Sequence, residues 1–352
     1  MKGRNKFIIR AGLETLFFSG THLMMRPFVG GIGVILTMHH VRPPRFGGFQ
    51  PNRLLEISPQ FFERLVVGLR KSRVDLISLD EMHRRLTERD FGRRFVCLTF
   101  DDGYRDFLEH AQPVLRKYDV PFAMYVPTSF PDRIGELWWL ALEEVIAKSG
   151  RIGMLIGGRE QRFDIRTSSD KRELFDQLYW YLRSRPTEEE LRALVRDLCA
   201  RYGVDMKALC ENLCMTWPEV TDLSQDPLAT IGAHTVNHVI LSKASDRIVR
   251  AEMEMGRSVL EAAIGVRPQH LAYPVGDLSS AGPREFGMAR ELGFKTAVTT
   301  QPGVLFAGHR DHLMALPRIS VNGEFQRMRY LKVLMSGAPT AMMSGFRRVK
   351  AA

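Results

Sequence analysis

Short apolar segments of this sequence stop abruptly at residues that can bind metal ions or transfer protons. The four clearest cases are GVILTM before His39, FVCLTF before Asp101, LATIGA before His234, and HLA before Tyr273. Helical patterns separate them, and strands that alternate with helices are typical of a parallel sheet or barrel wrapped by helices. Because the carboxyl ends of parallel barrel strands meet at one face, we expect the four polar clusters to converge there.

Charged, helical sequence interrupts this alternation from about residue 132 to residue 227. We interpret this region as a helical insertion in a barrel loop, and an independent second domain is the alternative. Its aromatic residues could stack on a sugar, although their spacing also suits a helix core: Trp138, Trp139, Tyr179, Trp180 and Tyr181. We expect residues 1–30 to form an N-terminal helical segment, residues 31–330 the main domain, and residues 331–352 a basic C-terminal tail.

The composition, 45% hydrophobic and 26% charged, is that of an ordinary folded protein. The best candidate for a membrane span, residues 16–25, contains His22 and is too short to cross a bilayer. No clean cleavage pattern of a secretory signal follows it. We therefore expect a helix that packs on the domain or lies on a membrane surface. The expected location is the cytoplasm or the periphery of the inner membrane.

The net charge of +10 and the pI near 9.6 favour acidic neighbours such as anionic lipid, nucleotide-linked sugars or nucleic acid. The basic residues are spread along the chain and do not form one patch interleaved with aromatic residues, so we do not expect nucleic-acid binding. The four cysteines are too few and too unevenly placed for a disulfide framework, and we assign them no function.

The segment Thr99-Phe100-Asp101-Asp102-Gly103 places two adjacent carboxylates at the end of a hydrophobic strand. Neighbouring strand residues point to opposite sides, so the two acids should have different functions. An Asp-Gly pair is also common in simple turns. Taken alone, the motif favours a turn at least as much as a catalytic site.

His234 and His238 have three residues between them, a spacing that lets two imidazoles of one helical turn bind the same ion. Such a pair, taken alone, is more often an ordinary surface feature. With Asp102, however, it completes a set of two histidines and one carboxylate that leaves positions open for water and substrate. The combination predicts a divalent metal site, with Zn²⁺ as the default ion and Co²⁺ or Ni²⁺ as alternatives.

Three motifs occur in the order found in the polysaccharide deacetylase family, also called the NodB homology domain or carbohydrate esterase family four. Residues 99–103 resemble its Thr-Phe-Asp-Asp-Gly motif, and residues 234–238 resemble its His-(Ser/Thr)-x-x-His motif. Residues 271–276 resemble its third motif in a Tyr-Pro-x-Gly form, as in chitooligosaccharide deacetylases. The resemblance covers roughly residues 30–325. It implies a deformed, incomplete (β/α) barrel that hydrolyses N-acetyl groups on an amino-sugar oligosaccharide or polysaccharide.

The resemblance also implies roles for the matching residues. The implied metal ligands are Asp102, His234 and His238. The metal would polarise water and the acetyl carbonyl, and Asp101 would act as the base that removes the water proton. Tyr273 and Val275 of the third motif are predicted to contact the substrate or the developing oxyanion, Val275 through its backbone N–H.

The sequence departs from the family pattern in two places. The usual acid, a histidine in a late Leu-x-His motif, has no clear counterpart at the end of the chain. The segment ILTMH resembles that motif moved to the N-terminus, as in permuted members, so we predict His39 as the acid, with His40 as its competitor. The arginine that often begins the third motif is replaced by Ala272. We predict that Arg318 supplies the missing charge, and a surface arginine is the alternative.

Two other functions fit parts of this sequence. A glycoside hydrolase needs two carboxylates that face each other across a sugar, about 5 to 9 Å apart. Asp101 and Asp102 are sequence neighbours with divergent side chains, and that chemistry would leave the histidines unused. A non-catalytic sugar- or membrane-binding protein could keep the fold without turnover, but a bare metal site does not need Asp101. We therefore expect a metal-dependent carbohydrate N-deacetylase.

Overall fold

The structure is a computed structural model that describes residues 3–349. Seven parallel strands close into a barrel surrounded by helices, which confirms the predicted α/β barrel. The strands in chain order are β1 (Gly33–Met38), β2 (His40–Val41), β3 (Glu56–Ile57), β4 (Asp75–Leu76), β5 (Phe95–Phe100), β6 (Phe122–Val126), β7 (Arg151–Ile156), β8 (Arg159–Asp164), β9 (Ala229–Ala233), β10 (His270–Ala272), β11 (Thr296–Pro302) and β12 (Leu316–Ser320). Around the barrel the order is β1, β12, β11, β10, β9, β6 and β5, and β5 pairs back to β1.

Side chains of the barrel strands alternate between the barrel interior and the surrounding helices. In β5, Phe95 and Cys97 pack inside the barrel, whereas Val96 and Leu98 pack against the outer layer. This alternation follows from the two-residue period of a strand. Asp101 continues the inward series, so the end of β5 delivers its carboxylate to the barrel interior.

Most of the remaining chain is helical. The helices are α1 (Gly3–Phe18), α2 (Thr21–Val29), α3 (Pro59–Arg70), α4 (Leu79–Glu88), α5 (Asp106–His110), α6 (Gln112–Lys117), α7 (Trp138–Lys148), α8 (Ser168–Arg183), α9 (Glu188–Tyr202), α10 (Met206–Leu213), α11 (Trp217–Ser224), α12 (Asp246–Ile264), α13 (Pro283–Glu291), α14 (Met328–Met335) and α15 (Ala338–Met343). Their caps follow sequence rules: the Ser58 side chain accepts the Phe61 N–H at the start of α3, with Pro59 in the first turn. Within the described residues, none of these helices has the length and apolar character that crossing a bilayer requires.

The insertion between β6 and β9 contains helices and an antiparallel hairpin formed by β7 and β8. Helices α7, α8 and α9 share an apolar cluster separate from the barrel core, with Trp138, Leu178 and Val195 among its members. Helix α11 instead packs Val220 into the barrel core. The expectation of a wholly helical insertion missed the hairpin. Strand β8 is polar and largely exposed, so it lacks the alternation that marks a strand in sequence.

Helices from both ends of the chain pack together into one terminal layer, made of α1, α2, α14 and α15. Helix α1 packs on α14, and α2 packs on α15. Gly337 permits this contact, because a Cβ atom there would lie only 2.0 Å from the Val29 carbonyl oxygen. Residues 331–349, predicted to be part of a basic tail, thus contain the end of α14 and all of α15. Lys350 of that tail lies outside the described residues.

Candidate active site

The carboxyl ends of the barrel strands gather the residues that the sequence singled out. His39 follows β1, Asp101 and Asp102 follow β5, His234 and His238 follow β9, Val275 follows β10, and Arg318 lies in β12. The Asp101 and Asp102 carboxylates, both histidine side chains and the Arg318 guanidinium are buried, whereas His39 and Val275 are partly exposed. The two partly exposed residues therefore mark the rim of the site.

Arg318 holds Asp101 in a two-pronged contact inside the barrel. Arg318 Nη1 and Nη2 donate to Asp101 Oδ1 and Oδ2 over 2.8 and 2.6 Å. Arg318 Nε donates to the Thr299 carbonyl oxygen at 2.8 Å, and Nη1 also reaches Thr99 Oγ1 at 3.1 Å. The guanidinium plane is thereby fixed on several sides. The structure places Arg318 in the interior against Asp101, and not on the surface.

Both adjacent carboxylates are ionised in this environment. Burial disfavours the charged form of Asp101, but the Arg318 guanidinium outweighs that effect and lowers the pKa of Asp101 below its ordinary value. Burial also opposes ionisation of Asp102, yet His238 and His234 lower the pKa of Asp102 well below its ordinary value. Different partners therefore hold the two neighbours, as their divergent side chains led us to expect.

Asp102, His234 and His238 form a compact set of possible metal ligands. The Nε2 atoms of His234 and His238 lie 3.4 and 3.3 Å from Asp102 Oδ1. One ligand atom from each of the three residues lies within 4.8 Å of the others, and all three residues are buried. This arrangement matches the two-histidine, one-carboxylate set that the sequence predicts.

Strained backbone and a buried acid shape this set. Asp102, Thr235 and His238 have positive φ angles of 71, 66 and 54°, a conformation that costs free energy in residues other than glycine and is often found at functional sites. Glu252 of α12 stabilises the loop after β9, since its Oε2 accepts the backbone N–H groups of Val236 and Asn237 at 3.0 and 2.8 Å. The loop is therefore held in the one conformation that turns both imidazoles toward Asp102.

The donor set fits a divalent metal ion. Asp102 Oδ1 is buried, yet it has no hydrogen-bond partner of acceptable geometry among the described residues, which is uncommon in native structures. His234 Nδ1 donates to the Ala272 carbonyl oxygen at 2.7 Å, because a carbonyl oxygen can only accept, and this contact orients Nε2 toward Asp102. A carbonyl partner of this kind is usual behind a metal-bound histidine.

His39 and His40 have different surroundings. His40 Nδ1 lies 2.6 Å from Asp106 Oδ2, and the His40 ring stacks on Tyr104 at 3.6 Å between ring centroids. This imidazole is buried and engaged with its neighbours. His39 is partly exposed; burial lowers its pKa below the ordinary value, against the opposing charges of Asp102 and Asp101. Of the two predicted competitors, only His39 combines an open side with proximity to both carboxylates.

The third motif contributes differently from the prediction. Ala272 faces the barrel interior, so the next residue, Tyr273, points outward, where its buried hydroxyl donates to the Met314 carbonyl oxygen at 2.9 Å. Its side chain therefore does not line the site, and the predicted substrate contact of Tyr273 is corrected to a structural role. Val275 has a positive φ of 61°, and its N–H has no acceptor within the described residues. That N–H is free to donate to a ligand.

Two aromatic residues lie beside the ligands. Tyr104 was not anticipated, and Trp139 was predicted only as a residue that could stack on a sugar or belong to a helix core. Tyr104 is fully buried and directly follows the Thr-Phe-Asp-Asp-Gly segment, so its position in sequence could have revealed it. Trp139 of α7 packs on His238 at 5.0 Å between ring centroids. Sequence spacing could not separate this role from the helix core, because Trp139 comes from the insertion and meets His238 only through the fold.

Comparison with known proteins agrees with this geometry. The model of the family described as polysaccharide deacetylase matches residues 88–154 and 193–297. The chain belongs to the polysaccharide deacetylase family. The gap in the match, residues 155–192, falls inside the insertion. Family membership identifies this protein as a carbohydrate deacetylase, a hydrolase that removes acetyl groups from sugar polymers.

Solved structures share the fold of this deacetylase. The deacetylase PplD of Streptococcus pyogenes, in complex with acetate, is 18% identical, with 86% of this chain and 96% of that chain covered and a TM-score of 0.55. IcaB from Ammonifex degensii is 17% identical, with 87% and 96% covered and a TM-score of 0.51. A putative polysaccharide deacetylase from Bacillus anthracis is 14% identical, with 86% and 68% covered and a TM-score of 0.54. No curated protein sequence matches this chain significantly.

Proposed function

We propose that this deacetylase hydrolyses the acetamide of an N-acetylated amino sugar with the help of a divalent metal ion, Zn²⁺ by default and Co²⁺ or Ni²⁺ as alternatives. One water is consumed, the C–N bond breaks, and the products are a free amine and acetate. The observation that carries the proposal is the pairing of two carboxylates with separate tasks. Asp101 is locked by a buried arginine, beside a ligand set of Asp102, His234 and His238. A purely structural metal site would not need Asp101.

The residues around the set have chemically distinct tasks. A bound cation would supply polarisation of the acetyl carbonyl and of water. Asp101 would accept a proton from the attacking water, with its carboxylate kept in one orientation by Arg318. The free Val275 N–H would donate to the oxyanion that develops on the carbonyl oxygen. His39, at the rim, would protonate the departing amine.

Acetate release from N-acetylglucosamine oligomers tests the proposed reaction. We expect purified protein supplied with Zn²⁺ or Co²⁺ to release acetate and the Asp101→Asn variant to release none. Asp222→Asn serves as the matched control, because Asp222 is an exposed acid of α11 and its side chain makes no hydrogen bond within the described residues. Sugar binding without acetate release under any metal would support the non-catalytic alternative instead.

The proposed substrates are N-acetylated amino-sugar oligosaccharides or polysaccharides. The Tyr-Pro-x-Gly form of the third motif favours chitooligosaccharides as the first to be assayed. Oligomers of increasing length, compared at equal concentration of acetyl groups, would show whether the rim selects a chain length. Release that is equally fast from the monosaccharide would contradict a preference for oligomers.

A further inference from the structure

The net charge of this protein is concentrated at the two ends of the chain. Residues 1–30 and 327–352 together contain eleven basic residues and one acidic residue, and the remaining chain has 39 of each sign. The whole net charge of +10 is therefore carried by these terminal segments. The basic residues themselves are spread along the chain, as expected, but their excess over acidic residues lies at the two ends. In the fold the terminal segments lie together, because α1 and α2 pack on α14 and α15.

The same terminal layer has an unusually apolar outer surface. Of the twenty large hydrophobic side chains exposed on the described chain, nine belong to it and a tenth, Phe346, follows α15. The nine are Phe7, Ile8, Ile9, Phe18, Leu23, Met24, Phe28, Met342 and Met343. Residues 7–12 of α1 are exposed throughout. Scattered single hydrophobic residues are normal on a protein surface, whereas a cluster of this size marks an interaction site.

The inner face of the layer is firmly attached to the domain. Leu13 and Tyr330 share one apolar cluster, and Glu14 Oε1 accepts from the Tyr330 hydroxyl and from Arg329 at 2.6 Å. Lys6 Nζ donates to Glu324 at 2.6 Å. The only acid of residues 1–30 is thus used internally. Arg10 also pairs with Glu324, and Arg327 pairs with Glu14. Among the described residues of the two terminal segments, the basic side chains without an acidic partner are those of Arg26, Lys332, Arg347 and Arg348.

From this combination we infer that the terminal layer binds the surface of an anionic phospholipid bilayer. Apolar side chains enter the boundary between headgroups and acyl chains, and arginine and lysine side chains contact lipid phosphates. In this proposal the terminal layer lies on the membrane surface with its helices in the interface. We favour a bilayer over a protein partner, because exposed apolar side chains and basic side chains occur together on this surface.

A groove runs from the terminal layer toward the loop after β10. Its volume is about 1110 Å³, and Phe28, Phe346 and Arg347 line it at the terminal layer. At its other end it is lined by Thr300, whose hydroxyl donates to the Val275 carbonyl oxygen at 2.7 Å. The groove therefore passes next to the rim of the site at Val275, and the proposed base and metal ligands do not line it. A bilayer-bound enzyme would hold that rim close to amino sugars carried at a membrane surface.

Sedimentation with lipid vesicles tests the inference on the full-length protein. We expect binding to vesicles of phosphatidylcholine mixed with phosphatidylglycerol, and much weaker binding to phosphatidylcholine alone or at high salt. The triple variant Phe18→Ser, Leu23→Ser and Met24→Ser should lower partitioning on the order of a hundredfold or more. Reversing two charges, Arg347→Glu and Arg348→Glu, should lower it by about tenfold or more.

A second triple variant provides the matched control. Ile134→Ser, Leu155→Ser and Val266→Ser replace side chains that are 68, 57 and 68% exposed, close to the 74, 60 and 75% of Phe18, Leu23 and Met24. The control should bind vesicles like the wild type. Both triple variants should keep acetate release from soluble oligomers, so a failure of membrane binding is separate from a failure of the proposed reaction.

Three outcomes would overturn the inference. The first is equal binding of the wild type to neutral and anionic vesicles. The second is loss of binding to the same degree in the two triple variants. The third is self-association of the wild type without lipid, together with a monomeric Phe18, Leu23 and Met24 variant. That result would make the terminal layer an interface between two copies of this chain.

Discussion

Replacing Arg318 by methionine should reveal the cost of burying Asp101 without its partner. Arg318 is 1% exposed, and its two donors lie 2.8 and 2.6 Å from the Asp101 oxygens. Removing one partner of a buried ion pair typically costs about 3–5 kcal/mol, because the remaining charge stays desolvated. We therefore expect Arg318→Met to lower the free energy of unfolding by about that amount at neutral pH and above.

This loss should depend on pH in a defined direction. Folding lowers the pKa of Asp101 in the wild type, so the pair contributes stability above the unfolded pKa of about 4, and the contribution disappears as pH falls through the lower folded value. Without Arg318, burial alone raises the folded pKa of Asp101, so the ionised carboxylate opposes folding at higher pH. The variant should be most destabilised near about pH 8 and come closer to wild type near about pH 4.

Urea unfolding at several pH values, at one fixed metal concentration, measures this difference, because a bound ligand adds stability of its own. The acid limb of the pH–activity profile should also move to higher pH in Arg318→Met and less in Arg318→Lys, which keeps the charge but loses the planar fork. Arg257→Met is the matched control, since that buried arginine donates only to the backbone carbonyls of Pro268, Leu292 and Gly293. Equal pH dependence of stability in the two methionine variants would refute the reasoning.

Three further predictions concern the neighbouring residues. His39→Gln should lower turnover by about 10²–10⁴-fold with metal content unchanged. His40→Gln should mainly lower stability, because Asp106 accepts a hydrogen bond from that ring. Acetate release measures the first effect and thermal unfolding the second, and the reverse pattern would make His40 the acid. Chelation should abolish acetate release and added Zn²⁺ should restore it, so activity that survives exhaustive chelation would contradict a metal role. Tyr273→Phe removes one buried hydrogen bond to Met314, so it should lower the free energy of unfolding by about 0.5–1.5 kcal/mol and leave turnover unchanged. A large loss of turnover at equal stability would instead support a substrate contact by Tyr273.

Local sequence patterns predicted a parallel sheet or barrel with polar residues at the strand ends, and the family resemblance selected the barrel and gave the site residues their roles. A run such as FVCLTF is buried on both sides, so it reads as a strand of a parallel sheet, and its two-residue period sends Asp101 inward. Arg318 follows Leu316 with the same period in β12, and both residues face the interior. The meeting of Asp101 with Arg318 therefore follows from two strand registers. Each of these registers is set by apolar residues near in sequence.

Other features depend on contacts that no local pattern contains. Trp139 reaches His238 only because the insertion folds back over the barrel end. The carboxylate of Asp106 distinguishes His40 from His39, and it approaches from the helix after β5. Tyr273 is a different case, since the inward Ala272 before it already implies an outward side chain. The prediction of a substrate contact relied on the motif and ignored the two-residue period of the strand, so it placed the Tyr273 side chain on the wrong side.

The location of the protein and its contact with a membrane stay predictions. The proposal of membrane contact rests on the terminal layer, whose charge comes from residues 1–30 and 327–352. These two segments are far apart in sequence. Neither segment by itself predicts a membrane-binding surface. Only the packing of α1 and α2 on α14 and α15 unites them into a single basic and apolar surface.

Metal content and acetate release, measured together on the Asp101→Asn and Asp102→Asn variants, test the division of labour between the two carboxylates most directly. Asp101→Asn should bind Zn²⁺ as the wild type does and release no acetate, because it keeps the ligand set and loses the base. Asp102→Asn should lose both the metal and the activity. Wild-type turnover by Asp101→Asn at equal metal content, or full metal content in Asp102→Asn, would contradict the assignment of base and ligand.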